Sequence, residues 1–313
     1  MNRRQLLQGG AAGALALAST LTLPSAAKAA PRKALRQTTF VLVHGAWHNS
    51  LTWSRVVGPL SALGHRVVTL DLPGHGVNAR FPASYFQTDR EAMTTERSPS
   101  ADLTLDDAAD AVLETIRGLD GERVVLVGHS MAGHMLSRVA EREPSRIARL
   151  VYLTAFMPVN RPSFADYIAL PEAKTEGGNA AMLGDPAKIG ASRIDPRSPD
   201  AAYMSSIHKA FYGDVDEPTF RAFANGLTPD QPLHFFADSP GITRARWGKV
   251  PRSYIVCELD GALAPALQEL FIREADALTP DNRTRVVRLR SSHSPFASQP
   301  QRLVQVLAEQ ASL

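Results

Sequence analysis

The chain has 313 residues, 44% of them hydrophobic and 21% charged, with a formal charge of +3 at pH 7. That length and balance belong to a globular protein able to bury a large core, and they exclude a fibrous or disordered chain. The positive excess sits in residues 1–29, which hold Arg3, Arg4 and Lys28 and no acid, so the remainder is neutral and carries no basic footprint for nucleic acid or an anionic membrane.

Those first residues read as a leader. Arg3-Arg4 ahead of Leu6 and Leu7, a Gly/Ala/Leu-rich stretch to Leu23, and then Ala27-Lys28-Ala29 form the pattern of a twin-arginine signal peptide cleaved after Ala29. A lasting anchor fits less well, because Gln8, Ser19 and Thr20 interrupt the apolar run. The expectation is a periplasmic or secreted protein with no stable membrane insertion after cleavage. The single cysteine, Cys257, can form no internal disulfide and reads as a core residue within an apolar strand.

From residue 39 onward, short β-branched runs alternate with amphipathic stretches of helical length, the signature of βαβ units around a buried parallel sheet. Strands are predicted over 39–44, 66–70, 123–127, 147–153, 253–257 and 284–289, and helices over 51–63, 104–119, 131–142, 264–278 and 301–311. Thr104 with Asp106 and Asp107 marks a helix start, the acids complementing the helix dipole.

Two stretches break the alternation. Residues 76–103 are a polar, Pro/Ser-rich excursion carrying Phe81, Tyr85 and Phe86. Residues 158–249 show no clear strand and only weak helical patterns over 201–212 and 217–225, as a helical cap would. The predicted fold class is therefore α/β: a doubly wound, mainly parallel sheet from residues 30–157 and 250–313, with a cap over 158–249 inserted between the fourth and fifth strands.

The third strand runs into Gly128-His129-Ser130-Met131-Ala132-Gly133. A serine on a tight strand-to-helix turn has its hydroxyl exposed and the helix amides aimed at it, which is what a nucleophile elbow requires. The usual pattern is G-x-S-x-G, and here Ala132 stands at the last position. Alanine has the smallest Cβ-bearing side chain, so it is tolerable provided Gly128 and Gly133 relieve the crowding.

A serine hydroxyl needs a base held by a buried carboxylate, in the chain order Ser, acid, His for this topology. Asp260 follows the fifth strand and His293 follows the sixth, so both loops emerge at the carboxyl edge where Ser130 points. Glu258 is the rival acid, placed nearer the strand itself. The backbone N–H groups of Ala46, beyond the His44-Gly45 turn, and of Met131 are the expected oxyanion donors.

His44 reads as a structural residue fixing its loop, and His48, His75 and His129 have the same default reading. None forms a metal-ligand spacing with acids or cysteines, so no metal site is expected. Trp47, Trp53, Phe81, Tyr85 and Phe86 are candidates for either an apolar pocket or core, with Trp47 the best placed. His129, beside the nucleophile, is a second candidate for the pocket.

With these residues in place, the stretches FVLVHGAWHNSLTW, GHRVVTLDLPGHG, VLVGHSMAGHML, ELDGALAPALQ and SSHSPFASQP resemble the α/β-hydrolase superfamily. Within it they resemble the branch of plant methylesterases, hydroxynitrile lyases and related bacterial esterases. The resemblance implies a cofactor-free serine esterase acting on a small-molecule ester. The lyases of that branch carry a threonine after the strand-end histidine and a lysine after the catalytic histidine. Here those positions are Gly45 and Ser294, which favours ester hydrolysis over cyanohydrin cleavage. A non-catalytic ligand receptor on the same scaffold is the third reading.

Overall fold

Runs such as TFVLV and VVLVGH are apolar at every position because both faces of their sheet are covered. In a computed structural model the described residues are 38–87, 89–119, 122–161, 163–175 and 181–312. The leader, residues 1–29, and its cleavage point lie outside them. Among the described residues the strands are β1 (Thr39–Val43), β2 (Arg66–Thr69), β3 (Val124–His129), β4 (Ile147–Leu153), β5 (Ala191–Arg193), β6 (Asp230–Pro232), β7 (Arg252–Cys257) and β8 (Arg285–Leu289).

Six of them form one parallel sheet in the order β2-β1-β3-β4-β7-β8. The order runs one way from β1 to β2 and the other way from β3 onward. Right-handed crossovers therefore place the helix at Ser54–Ala62 on one face and those at Leu105–Arg117, Ala132–Arg142 and Pro265–Leu278 on the other. The last helix, Pro300–Gln310, packs beside Ser54–Ala62. The expected doubly wound α/β fold is the one observed. Its reversal point lies at β1 and β3, where a crevice opens at the carboxyl ends.

Side-chain caps set several helix starts. Thr104 caps its helix through a reciprocal box with Asp107. The predicted helix over 51–63 starts instead as a 3-10 turn, Ser50–Trp53, capped by the Asn49 side chain, before the α-helix begins at Ser54.

One correction concerns residues 158–249, which do contain strands. The three-residue strands β5 and β6 pair as an antiparallel ribbon, too short to leave a period-two signal. The ribbon is fixed by a buried bidentate ion pair, Arg193 to Asp230 at 2.5 and 2.7 Å. Arg193 also donates to the carbonyls of Met93 and Glu96, which ties the 76–103 excursion to the ribbon. In that excursion Phe81 stacks on Tyr85 with centroids 5.4 Å apart. Cys257 is fully buried in β7.

Candidate active site

Among the described residues three non-glycine residues have positive φ: Trp47 (60°), Ser130 (54°) and Thr154 (38°). They follow the carboxyl ends of β1, β3 and β4. Strained backbone persists only where its surroundings over-determine it, and such positions collect at functional sites.

Ser130 is held in its turn by three backbone bonds. Its N–H donates to Leu153 O at 3.2 Å, and its carbonyl accepts from Gly133 (3.1 Å) and Phe156 (3.0 Å). These bonds bring the elbow against the end of β4, and that approach answers why glycine is needed at 133. A Cβ on Gly133 would overlap the backbone oxygen of Phe156. Ala132 is fully buried, and its methyl group is accommodated there. The close-approach glycine of this elbow is thus the third residue after the serine.

Asp260 and His293 converge as their loop positions predict. The His293 Nδ1–H donates to Asp260 Oδ2 at 2.6 Å, with both side chains essentially buried. Every acceptor site of the carboxylate is in use. Oδ1 accepts the N–H groups of Ala262 and Leu263, each at 2.8 Å, and Oδ2 also accepts the Thr154 hydroxyl. Glu258 is exposed, so the rival acid does not compete.

With Nδ1 donating, the lone pair of His293 resides on Nε2, which is buried and has no hydrogen-bond partner among the described residues. No bond joins Nε2 to the Ser130 hydroxyl in this structure. Such contacts commonly close only when substrate arrives. Ser130 and His293 nevertheless line one cavity of about 280 Å³, together with Ala46 and Met131. The amides of Ala46 and Met131 have no acceptor among the described residues.

The remaining walls are mostly apolar: Trp47, Phe156, Phe164, Ile168, Phe211 and Phe236, with no Asp, Glu, Lys or Arg among the lining side chains. Trp47 is on the wall, as proposed for it. Trp53, Phe81, Tyr85 and Phe86 are not; Trp53 is fully buried against Phe296. The other aromatic residues of the wall come from the end of β4 and from the 158–249 insertion, which offered no motif to flag them.

His129 is the second correction. Its ring is fully buried and does not line the cavity. Its Nε2–H donates to the backbone carbonyl of His293 at 2.9 Å, and the two rings lie 4.6 Å apart. Burial, reinforced by His293 and His48, holds its pKa well below the ordinary histidine value, so it stays neutral. The other bare nitrogen, Nδ1, faces Gly45, where a Cβ would come within 2.6 Å.

His44 fixes its loop as expected: Nδ1–H donates to Gly45 O at 2.9 Å while Nε2 accepts the Leu72 N–H at 3.1 Å. Burial lowers its pKa to about 3. One residue that holds the carboxylate escaped sequence reasoning: Thr154 is a lone threonine after a strand and carries no local signal. Among the described residues no group of three or more His, Cys, Asp or Glu could hold a metal ion, and no helix is long and apolar enough to cross a membrane.

Residues 40–306 match the sequence model of the alpha/beta hydrolase family. Methylesterase 2 of Arabidopsis thaliana is 28% identical over 256 residues, covering 77% of this chain and 86% of the relative. Methyl jasmonate esterase 1 of Vitis vinifera is 27% identical over 280 residues, covering 88% and 97%. A solved pyrethroid hydrolase from Sphingobium faniae JZ-2 superposes with a TM-score of 0.68 at 23% identity, over 88% of this chain and 97% of that one.

Proposed function

The chain belongs to the alpha/beta hydrolase family, and on that premise we propose that it is a carboxylic-ester hydrolase working through an acyl-enzyme. Ser130 is the nucleophile. His293 takes its proton at Nε2 and returns it to the leaving alcohol, and Asp260 holds the imidazole in the required tautomer. The amides of Ala46 and Met131 receive the oxyanion. The relatives named as methylesterases support the reaction class.

The observation that carries the reading is the Asp260–His293 bond at 2.6 Å, opening into the same cavity as the strained Ser130. The uncharged, apolar wall suits a neutral ester with an apolar acyl or alcohol part. No cofactor is needed for these steps. Export through the twin-arginine leader belongs to the same proposal, and a mature N-terminus at residue 30 in the periplasmic or secreted fraction would support it.

Cyanohydrin cleavage is disfavoured on space as well as on sequence. A threonine at position 45 would bring its Cβ within 2.6 Å of His129 Nδ1, and Ser294, where the lyases carry lysine, is fully buried. The test is a chain-length series of methyl and aryl esters with the mature protein and with Ser130→Ala. The variant should lose ~10⁴-fold or more in turnover if the three side chains act as a unit. Wild-type protein no faster than Ser130→Ala on every ester would end the hydrolase reading, and tight saturable binding without turnover would favour a receptor.

A further inference from the structure

The loop that carries the oxyanion donor Ala46 is bonded to the 158–249 insertion at Trp47, His48 and Asn49. The carbonyl of Ala46 accepts the Nδ1–H of His48 at 2.6 Å, and the other nitrogen of that ring, Nε2, accepts the hydroxyl of Tyr212 at 2.7 Å. Tyr212 ends the insertion's longest helix, Ala201–Tyr212.

The carbonyl of Trp47 accepts both the N–H (2.8 Å) and the hydroxyl (3.1 Å) of Thr228. The Trp47 indole N–H donates to Ser192 O in β5 at 2.8 Å. Asn49 donates its side-chain amide to Gly226 O at 2.6 Å. Trp47 itself is held at φ 60°, a conformation an unsupported tryptophan would leave. Among the described residues, the loop's own backbone-to-backbone bond within 44–49 is a single longer one, His48 N–H to Gly45 O at 3.3 Å.

The two peptide planes that follow the Ala46 Cα, Ala46–Trp47 and Trp47–His48, are therefore held from the insertion, the first through His48 and the Trp47 N–H to Gln231 Oε1 (3.4 Å) and the second through Thr228. An oxyanion donor works only if it is aimed in advance at the place where charge develops, and displacement of about 1 Å from that place costs orders of magnitude in rate. Burial keeps the His48 ring neutral, its pKa lowered to about 4, so Nε2 remains an acceptor for Tyr212 at neutral pH.

We infer that the insertion is a working part of the oxyanion hole, with His48, Tyr212 and Thr228 as positioning residues that hold the Ala46 amide in aim. This rests on the hydrolase reading. It also means that the half of the insertion containing Tyr212, Thr228 and the β5–β6 ribbon serves as a fixed strut, not a free lid.

The test uses Tyr212→Phe and Thr228→Val in the full mature chain. Each deletes a single hydroxyl at a residue that does not line the cavity. On an aryl ester of an apolar acid, kcat should fall about tenfold in each variant with KM within about twofold, a fraction of the effect of removing a whole donor. Inhibition by an apolar trifluoromethyl ketone, which forms a tetrahedral adduct on Ser130, should weaken by the same factor. Binding of the product acid should not change. A role in stability alone would not separate those two ligands.

Wild-type kcat and ketone affinity in both folded variants would overturn the inference, and so would equal weakening of ketone and product acid. If the wild type hydrolyses no ester, the function reading fails by itself. Hydrogen exchange across residues 44–49 then decides the positioning claim. Faster exchange in the variants supports it, and unchanged exchange in both overturns it.

Discussion

Thr154 donates its hydroxyl to Oδ2 of Asp260, the same oxygen that accepts the ring N–H of His293. A residue at the end of β4 thus sets the carboxylate at the end of β7, which in turn sets the imidazole after β8. Thr154→Val keeps the shape and deletes the donor. Hydrogen bonds to charged groups contribute about 1.5–3 kcal/mol, so the variant should lose ~1–3 kcal/mol of stability and about tenfold in kcat at steady KM. Thr154→Ser should recover most of both. Denaturant titration and steady-state kinetics provide the check, and a valine variant with wild-type kcat would contradict the role.

Gly45 is the contact point between the oxyanion loop and the elbow. A Cβ there would stand 2.6 Å from His129 Nδ1 and 3.0 Å from Ser130 Cβ, so Gly45→Ala must push one of them. Overpacking of this kind destabilises by ~1–3 kcal/mol. Because the displaced atoms belong to the nucleophile and to the ring that holds the His293 carbonyl, turnover should fall by ~10²-fold. The double change Gly45→Thr and Ser294→Lys should yield neither esterase nor cyanohydrin-cleaving activity, measured as aldehyde release.

At the elbow, Gly133→Ala and Ala132→Gly should part company. The first forces a methyl group into the Phe156 carbonyl, backbone that cannot step aside, and soluble folded protein should be lost or its Tm lowered steeply. The second restores the usual glycine position and carries only the helix penalty of ~1 kcal/mol. Esterase activity should survive it within a few fold. Thermal melts of the pair are sufficient, and a stable Gly133→Ala protein would refute the packing account.

Buried histidines make stability depend on pH. His44, His48 and His134 are held, chiefly by burial, at pKa values of about 3, about 4 and about 3. In the unfolded chain they titrate near 6.5, so below that pH the unfolded state takes up protons that the folded state refuses. Stability is therefore full above about 6.5 and is lost as pH falls toward 3–4, by ~1.4 kcal/mol per pH unit for each histidine. Among the described residues, neither ring nitrogen of His134 has a hydrogen-bond partner. His134→Leu should be neutral or stabilising at pH 7 and should reduce the slope between pH 6 and 4.5 by one proton. Urea midpoints across that range measure it, and an unchanged slope would contradict the assignment.

Sequence by itself determined the α/β class and the approximate positions of the six sheet strands, and it named the three residues of the proposed triad. Those features follow from local rules: β-branched runs, a turn that needs a glycine, and loops that must emerge at the carboxyl edge. It also read His44 as a loop-fixing residue and singled out Trp47 as the best-placed of five aromatic candidates for pocket or core. Only the tertiary structure decided that His129 buttresses the His293 loop from behind the cavity, that Thr154 anchors Asp260, and that Tyr212 and Thr228 reach the oxyanion loop. Those contacts join residues more than a hundred positions apart, between side chains whose own neighbourhoods carry no periodicity. The same reason hid the aromatic wall of the insertion and the β5–β6 ribbon, because three-residue strands and single-turn helices acquire their form from what they pack against.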